Sequence, residues 1–196
     1  MKPKILFGTN NKDKLREIRE LVGESLEILS LADINLDMDV EETEDSLQGN
    51  ATLKAKAFQK ASGLACFSDD SGLEVDALDG RPGVYSARYA GENCSYQDNV
   101  DKMLREMKGK ENRRARFRTV ISFYDGEHLH HFEGKAEGNI SQEEKGKGGF
   151  GYDPIFIPLN QEKSFAEMSP EEKNTISHRG KAVRMFAAFL TDQFHE

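Results

Sequence analysis

The spacing of apolar residues changes several times along the chain. Residues 4–8 hold an apolar run, Ile5-Leu6-Phe7, that reads as a buried strand. The run stops at Thr9-Asn10-Asn11, which are helix-capping types, and Leu15, Ile18, Leu21 and Val22 then recur at helical spacing. Residues 26–29 predict a second strand. Ser46 predicts a helix cap ahead of an apolar face of Leu47, Ala51, Ala55 and Phe58, with Gly63 as its stop. Residues 64–68 predict a strand that ends at Asp69-Asp70-Ser71-Gly72, and residues 73–78 predict another. Gly80-Arg81-Pro82-Gly83 reads as a turn. Ser95 and Asp98 form a capping box ahead of Tyr96, Val100, Met103 and Met107 on one helical face. In residues 116–124 the alternation of Phe117, Thr119, Ile121 and Phe123 predicts a half-buried strand. Asp125-Gly126 is a hairpin signal, with residues 128–132 returning. A glycine-rich segment, 146–151, precedes a short strand at 155–157. Ser169-Pro170-Glu171-Glu172 opens a helix, and Ser177 caps the last one, which carries Val183, Phe186, Ala187 and Leu190.

Strands and helices alternate at first and a β-hairpin follows, which predicts a mixed α/β sheet carrying a smaller lobe. No repeat and no linker separates the chain, so residues 1–196 read as a single domain. At 196 residues, 37% of them hydrophobic, such a chain buries about 70% of its unfolded surface. It needs no disulfide or metal to hold its core. The net charge of −8 argues against nucleic acid and membrane surfaces as partners, both of which call for a basic footprint. It leaves room for a small anion in a local basic site. Two cysteines, no apolar run long enough to span a membrane and no signal-peptide core predict a cytoplasmic protein.

Four segments carry candidate chemistry. Thr9-Asn10-Asn11-Lys12-Asp13-Lys14 lies at a strand-to-helix junction, where backbone N–H groups and a lysine could meet phosphate. An ordinary capped helix is the bland alternative. Asp69 and Asp70, adjacent carboxylates after an apolar strand, could join Glu41 or Glu42 as oxygen ligands for Mg²⁺, or take a proton from water. A β-turn would use the same residues. Phe150, Gly151, Tyr152 and Asp153 combine aromatic rings with a permissive backbone, suited to stacking on a base or to plugging the core. Lys173, His178 and Arg179 stand near the last helix start, where a cation opposes the helix dipole. His128, His130 and His131 read as a solvent-facing strand, and Arg114, Arg116 and Arg118 as the wet face of a strand.

Taken in order, these segments resemble the inosine triphosphate pyrophosphatase family, also described as dITP/XTP pyrophosphatases. The matching pieces are Thr9–Lys14, Glu42-Thr43 with Asn50-Ala51 and Lys54-Ala55, and Ser68–Leu73. They continue with Gly83–Tyr89, Gly148–Pro154, Glu172-Lys173 and Ser177-His178-Arg179. The resemblance implies an elongated two-lobed α/β fold, a mixed sheet flanked by helices with a central cleft, assembled as a homodimer. It implies Mg²⁺-dependent cleavage of ITP, dITP and XTP to monophosphate and pyrophosphate, which cleanses the nucleotide pool. By position, Thr9 to Lys14 would hold the triphosphate. Asp70 would be general base and metal ligand. Glu41 or Glu42 would be a second ligand, with the Glu-Thr pattern favouring Glu42. Asp69 would support the metal, Lys54 would lie near phosphate and metal, and Ser71 would touch substrate. Phe150, Gly151, Tyr152 and Asp153 would hold the base, with Phe150 stacking, and Lys173, His178 and Arg179 would read its edge. The family often has an aromatic residue shortly before Asn50, where this chain has Leu47-Gln48-Gly49, and a glycine inside a helix costs about 1 kcal/mol.

Two other readings use the same residues. One is a nucleotide pyrophosphatase with another base preference, such as modified pyrimidines, which a substrate panel separates. The other is a nucleotide-binding sensor without turnover, against which the acidic pairs beside a phosphate site argue.

Overall fold

The computed structural model describes residues 4–22 and 26–194. Seven strands form one mixed sheet, in the order β2-β1-β3-β5-β6-β7, with β4 paired to β3. They are β1 (Lys4–Phe7), β2 (Glu27–Leu29), β3 (Cys66–Val75), β4 (Pro82–Gly83), β5 (Arg114–Tyr124), β6 (Leu129–Ile140) and β7 (Phe156–Pro158). β1 runs parallel to β2 and β3, whereas β4 and β7 pair antiparallel to β3 and β6. The helices are α1 (Lys12–Val22), α2 (Leu47–Ser62), α3 (Tyr96–Glu106), α4 (Pro170–Ile176) and α5 (His178–Phe194). The expected mixed α/β sheet flanked by helices is what forms.

The chain divides into two compact units. The first comprises residues through Asp70, Thr119–Gly134 and Gly180 onward; the second comprises Ser71–Arg118 and Lys135–Arg179. β3, β5 and β6 contribute residues to both. In the first unit Ile5, Phe7 and Phe67 pack with Ile18 and Val22 of α1 and with Ala182, Val183, Phe186 and Leu190 of α5. Phe7 and Phe67 are register partners and their rings stack at 4.5 Å. Leu6 and Cys66, on alternate positions of the same strands, join Phe58 of α2 in a second cluster. Both faces of β1 are thus covered, which is why its sequence is a continuous apolar run. The residue after that strand is glycine because a Cβ on Gly8 would run into the Phe58 ring and Ser68 Oγ. In the second unit Leu73, Val75, Ala115, Phe117 and Ile140 pack with Val100, Met103 and Met107 of α3 and with Tyr152, Phe156 and Phe165.

Locally determined features match expectation. Ser46 accepts from Gly49 N–H at the start of α2, and Gly63 closes that helix with φ of 71°. The Ser95/Asp98 and Ser169/Glu172 capping boxes both form. Four expectations are corrected. The strand that starts this element does not end at Asp69-Asp70-Ser71-Gly72, which form the middle of β3, and residues 76–78 form a 3-10 turn instead of strand. The strand continues because its buried polar groups have partners; Ser68, for example, donates to the Gly8 carbonyl at 2.8 Å. Gly49 stands in the first turn of α2, where a Cβ would press on Glu44 Cβ at 2.7 Å, so the glycine permits a close approach. Tyr96 leaves the buried face of α3 and is 45% exposed, while Val100, Met103 and Met107 are buried.

Candidate active site

Two groups of functional side chains assemble, one in each unit. The first gathers on β3, α1 and α2. At the start of α1, Asn11 Oδ1 accepts from the N–H groups of Asp13 and Lys14, and Thr9 Oγ1 accepts from Asn11 N–H. Two N–H groups expected to face phosphate are therefore capped. Asn10 turns its amide to the Met38 carbonyl and Asp39, Asp13 pairs with Arg16, and Lys12 is exposed. Lys14 is carried into the acidic group: its Nζ lies 3.1 Å from the buried Asp69 carboxylate.

One residue further along β3, buried Asp70 accepts from Asn50 Nδ2 at 3.2 Å, while Asn50 Oδ1 accepts from Glu44 N–H. Asn50 thus ties the 41–46 segment to the carboxylate, a part that sequence reasoning did not assign. Lys54, one helical turn beyond Asn50, pairs with Glu42 at 2.5 Å. Glu41 is exposed. Burial pushes the Asp70 carboxyl up to about 6; Lys54 and Lys14 pull it down, and Glu42 and Asp69 push it up further. Burial alone would depress the Lys54 ammonium, but Asp70, then Glu42 and Asp69, hold it above the usual lysine range.

These residues fit magnesium by the chemistry of their donors. Asp69, Asp70 and Glu42 are hard oxygen ligands close enough to perturb one another, and a divalent cation relieves that repulsion. Among the described residues no three His, Cys, Asp or Glu side chains already form a metal-holding group. Magnesium asks for less, since it takes one or two carboxylates and completes its shell with water and phosphate.

The second group is built around Asp153, which is buried. Its Oδ2 accepts from Lys173 Nζ at 2.7 Å and from Phe150 N–H at 3.0 Å. Gly149, at φ of 67°, gives the loop the sharp approach this needs, because a Cβ there would run into the Asp153 carboxylate. Lys173 Nζ stands 5.1 Å from the Phe150 ring centre and 5.7 Å from that of Phe165. The Arg179 guanidinium stands 5.3 Å from the Phe150 ring centre and donates to Ser71 Oγ at 3.2 Å. Cation–aromatic contacts of this kind stabilise charge that burial would otherwise penalise. His178 lies flat on Phe117, with ring centres 4.5 Å apart and an 11° tilt.

Tyr152, expected to hold a base, is buried and donates its hydroxyl to the Ser86 carbonyl at 2.7 Å. It anchors the loop beside Gly151, whose own φ is 61°. Phe117 reads from sequence as a position in a half-buried strand, and Phe165 and Ser86 receive no role of their own; nothing local to the three signals that they support the cations and the loop. The other histidines do not gather: His128 contacts Asp125, His130 packs on Phe189, and His131 bonds Thr52. Arg116 pairs with Glu74, Asp76 and Glu137, and Arg118 with Glu74, so these arginines are neutralised within the sheet.

A mixed α/β fold that carries an acid-rich, lysine-balanced group in one unit and cations on aromatic rings in the other is of the nucleotide-handling class. The Ham1 family model matches residues 5–189, and the chain belongs to the Ham1 family. It is 50% identical over 188 residues to the dITP/XTP pyrophosphatase of Flavobacterium johnsoniae, covering 96% of this chain and 98% of that one. It is 52% identical over 188 residues to the protein of the same name from Porphyromonas gingivalis, covering 95% and 97%. The structure of the Staphylococcus aureus Ham1 protein superposes with a TM-score of 0.87 at 39% identity, covering 97% of this chain and 99% of that chain.

Proposed function

We propose that this chain is a nucleoside triphosphate pyrophosphatase that hydrolyses non-standard purine nucleotides (ITP, dITP, XTP) to the monophosphate and pyrophosphate. The observation that carries this reading is the kinship itself: half of the residues are shared, over nearly the full length of both chains, with proteins named for that activity. The geometry supports a mechanism for it.

Asp70 is the general base. With its carboxyl near 6 it is ionised at neutral pH yet basic enough to take a proton from the water that attacks the α-phosphorus. Lys14 and Lys54 supply positive charge for phosphate oxygens, and Thr9, Asn10 and Asn11 frame the phosphate loop. Asp70 and Glu42 would hold a magnesium ion, with Asp69 in support, and that ion supplies neutralising charge to the triphosphate and the leaving pyrophosphate.

Phe150 stacks on the base. Lys173, His178 and Arg179 present donors to a 6-oxo group, which hypoxanthine and xanthine carry as an acceptor. Adenine offers a 6-amino donor instead, leaving donor against donor. A site built on such hydrogen bonds can reject the mismatch by about 10⁴-fold or more. Guanine shares the 6-oxo group, so its rejection turns on the 2-position.

The test is a panel of ITP, dITP, XTP and the four standard triphosphates, with and without Mg²⁺, in which pyrophosphate and orthophosphate are measured separately. Pyrophosphate from the non-standard purines, only with Mg²⁺, is the expected result. Orthophosphate release, or a preference for pyrimidines, overturns the reading. We also infer a homodimer in the cytoplasm. Light scattering at twice the 22.1 kDa chain mass supports the dimer and a single-chain mass excludes it. Fractionation of the source cells tests the location. Among the described residues no helix is long and apolar enough to cross a membrane.

A further inference from the structure

Tyr96 breaks the pattern of its own helix. Four residues before Val100, it should share the buried face of Val100, Met103 and Met107. Instead it is 45% exposed, and its ring leans on Phe150, with centres 5.8 Å apart and planes tilted by 42°.

The two rings differ in how firmly they are held. The start of α3 is fixed by the Ser95/Asp98 capping box. It is fixed again by buried Asn99, which donates to the Ala87 carbonyl and accepts from Ala90 N–H. Gln97 reaches from the same turn to Glu144, just ahead of the glycine-rich segment. Phe150 sits between Gly149 and Gly151, both at positive φ, in the most permissive backbone of the loop. Lys173 and Arg179 approach its ring as cations. Tyr96 adds an aromatic wall to that ring from the capped start of α3.

We propose that Tyr96 is a positioning residue for base recognition: it sets the orientation of Phe150 and so tunes the affinity for a 6-oxopurine. The inference rests on the reading of Phe150 as the stacking residue. It assigns to Tyr96 an effect on binding and none on the chemical step, since its ring contact is with the base-stacking Phe150. An aromatic pair contributes enough to change affinity about two- to tenfold.

The test compares wild type, Tyr96→Ala and Tyr96→Phe in steady-state cleavage of ITP, with calorimetric binding of inosine monophosphate and thermal melting of each protein. Tyr96→Ala should raise KM and weaken monophosphate binding about two- to tenfold, with kcat within twofold of wild type and an unchanged Tm. Tyr96→Phe, which keeps the ring, should restore both. An unchanged KM and Kd in Tyr96→Ala overturns the inference. So does a kcat loss with unaltered binding, or a Tyr96→Phe defect equal to that of Tyr96→Ala. If wild type neither binds nor cleaves inosine nucleotides, the base-site reading falls and this inference with it. If wild type acts normally and Tyr96→Ala matches it, only the inference falls.

Discussion

The two groups of buried charge solve the same problem with opposite means. Around Asp70 the buried groups are carboxylates, balanced by Lys14 and Lys54, and burial still lifts Asp70 to about 6. Around Asp153 the buried groups are mostly donors: Lys173 and Arg179 rest on Phe150, and His178 on Phe117, with the Asp153 carboxylate holding Lys173. On the proposed reading the first group takes a cation and moves a proton, and the second takes a flat, acceptor-bearing ligand. Consecutive residues of β3 divide between them, Asp69 and Asp70 in one and Ser71 in the other.

The largest expected effect lies in the first group. Asp70→Asn should lower turnover by about 10³-fold or more while nucleotide binding stays within a few-fold. Pyrophosphate release and calorimetry check this, and near-normal turnover contradicts it. The same variant tests the burial. An Asp whose folded pKa is raised destabilises the fold when ionised. The penalty is absent below the unfolded value near 3.8, grows as pH rises toward 6, and is complete above it. Without divalent ions, the stability of Asp70→Asn relative to wild type should therefore rise between pH 4 and pH 8, by up to about 3 kcal/mol. A difference independent of pH would argue against a raised Asp70.

Next comes the second group. Lys173→Met leaves the buried Asp153 carboxylate without its lysine and should cost about 3–5 kcal/mol in denaturant unfolding. Adding Asp153→Asn should recover part of that loss. If Lys173→Met unfolds like wild type, this pair does not hold the loop. A smaller effect separates the two adjacent glutamates. Glu42→Gln should raise the Mg²⁺ concentration for half-maximal activity about tenfold, whereas exposed Glu41→Gln should leave it unchanged. The reverse pattern would exchange their roles. The smallest effect belongs to the charged face of the sheet: Arg116→Ala should cost no more than about 1 kcal/mol and leave ITP cleavage intact, because its partners are half-exposed.

What was legible in the sequence follows the range of the interactions. Capping boxes at Ser95 and Ser169, the Gly63 stop and the apolar face of α2 depend on residues a turn apart, and all formed as read. Asp69-Asp70-Ser71-Gly72 left a strand end and a β-turn both open, because the groups that satisfy the two carboxylates inside a continuous strand, Lys14 and Asn50, lie far away in the chain. Gly49 looked like a weak point in a helix until the neighbouring Glu44 showed what it accommodates. Phe117 kept its alternating place in β5, but its contact with His178 joins a middle strand to the last helix, and no local pattern carries that. The order of the motifs gave the candidate residues; their pairing into two groups came only from the fold.

The central claim, that water activated by Asp70 attacks the α-phosphorus, is tested most directly by cleaving ITP in ¹⁸O-labelled water with Mg²⁺ and weighing both products. The account predicts one ¹⁸O in inosine monophosphate and none in pyrophosphate. Label in pyrophosphate would place the attack on the β-phosphorus, and label in orthophosphate would place it at the end of the chain; either result contradicts it.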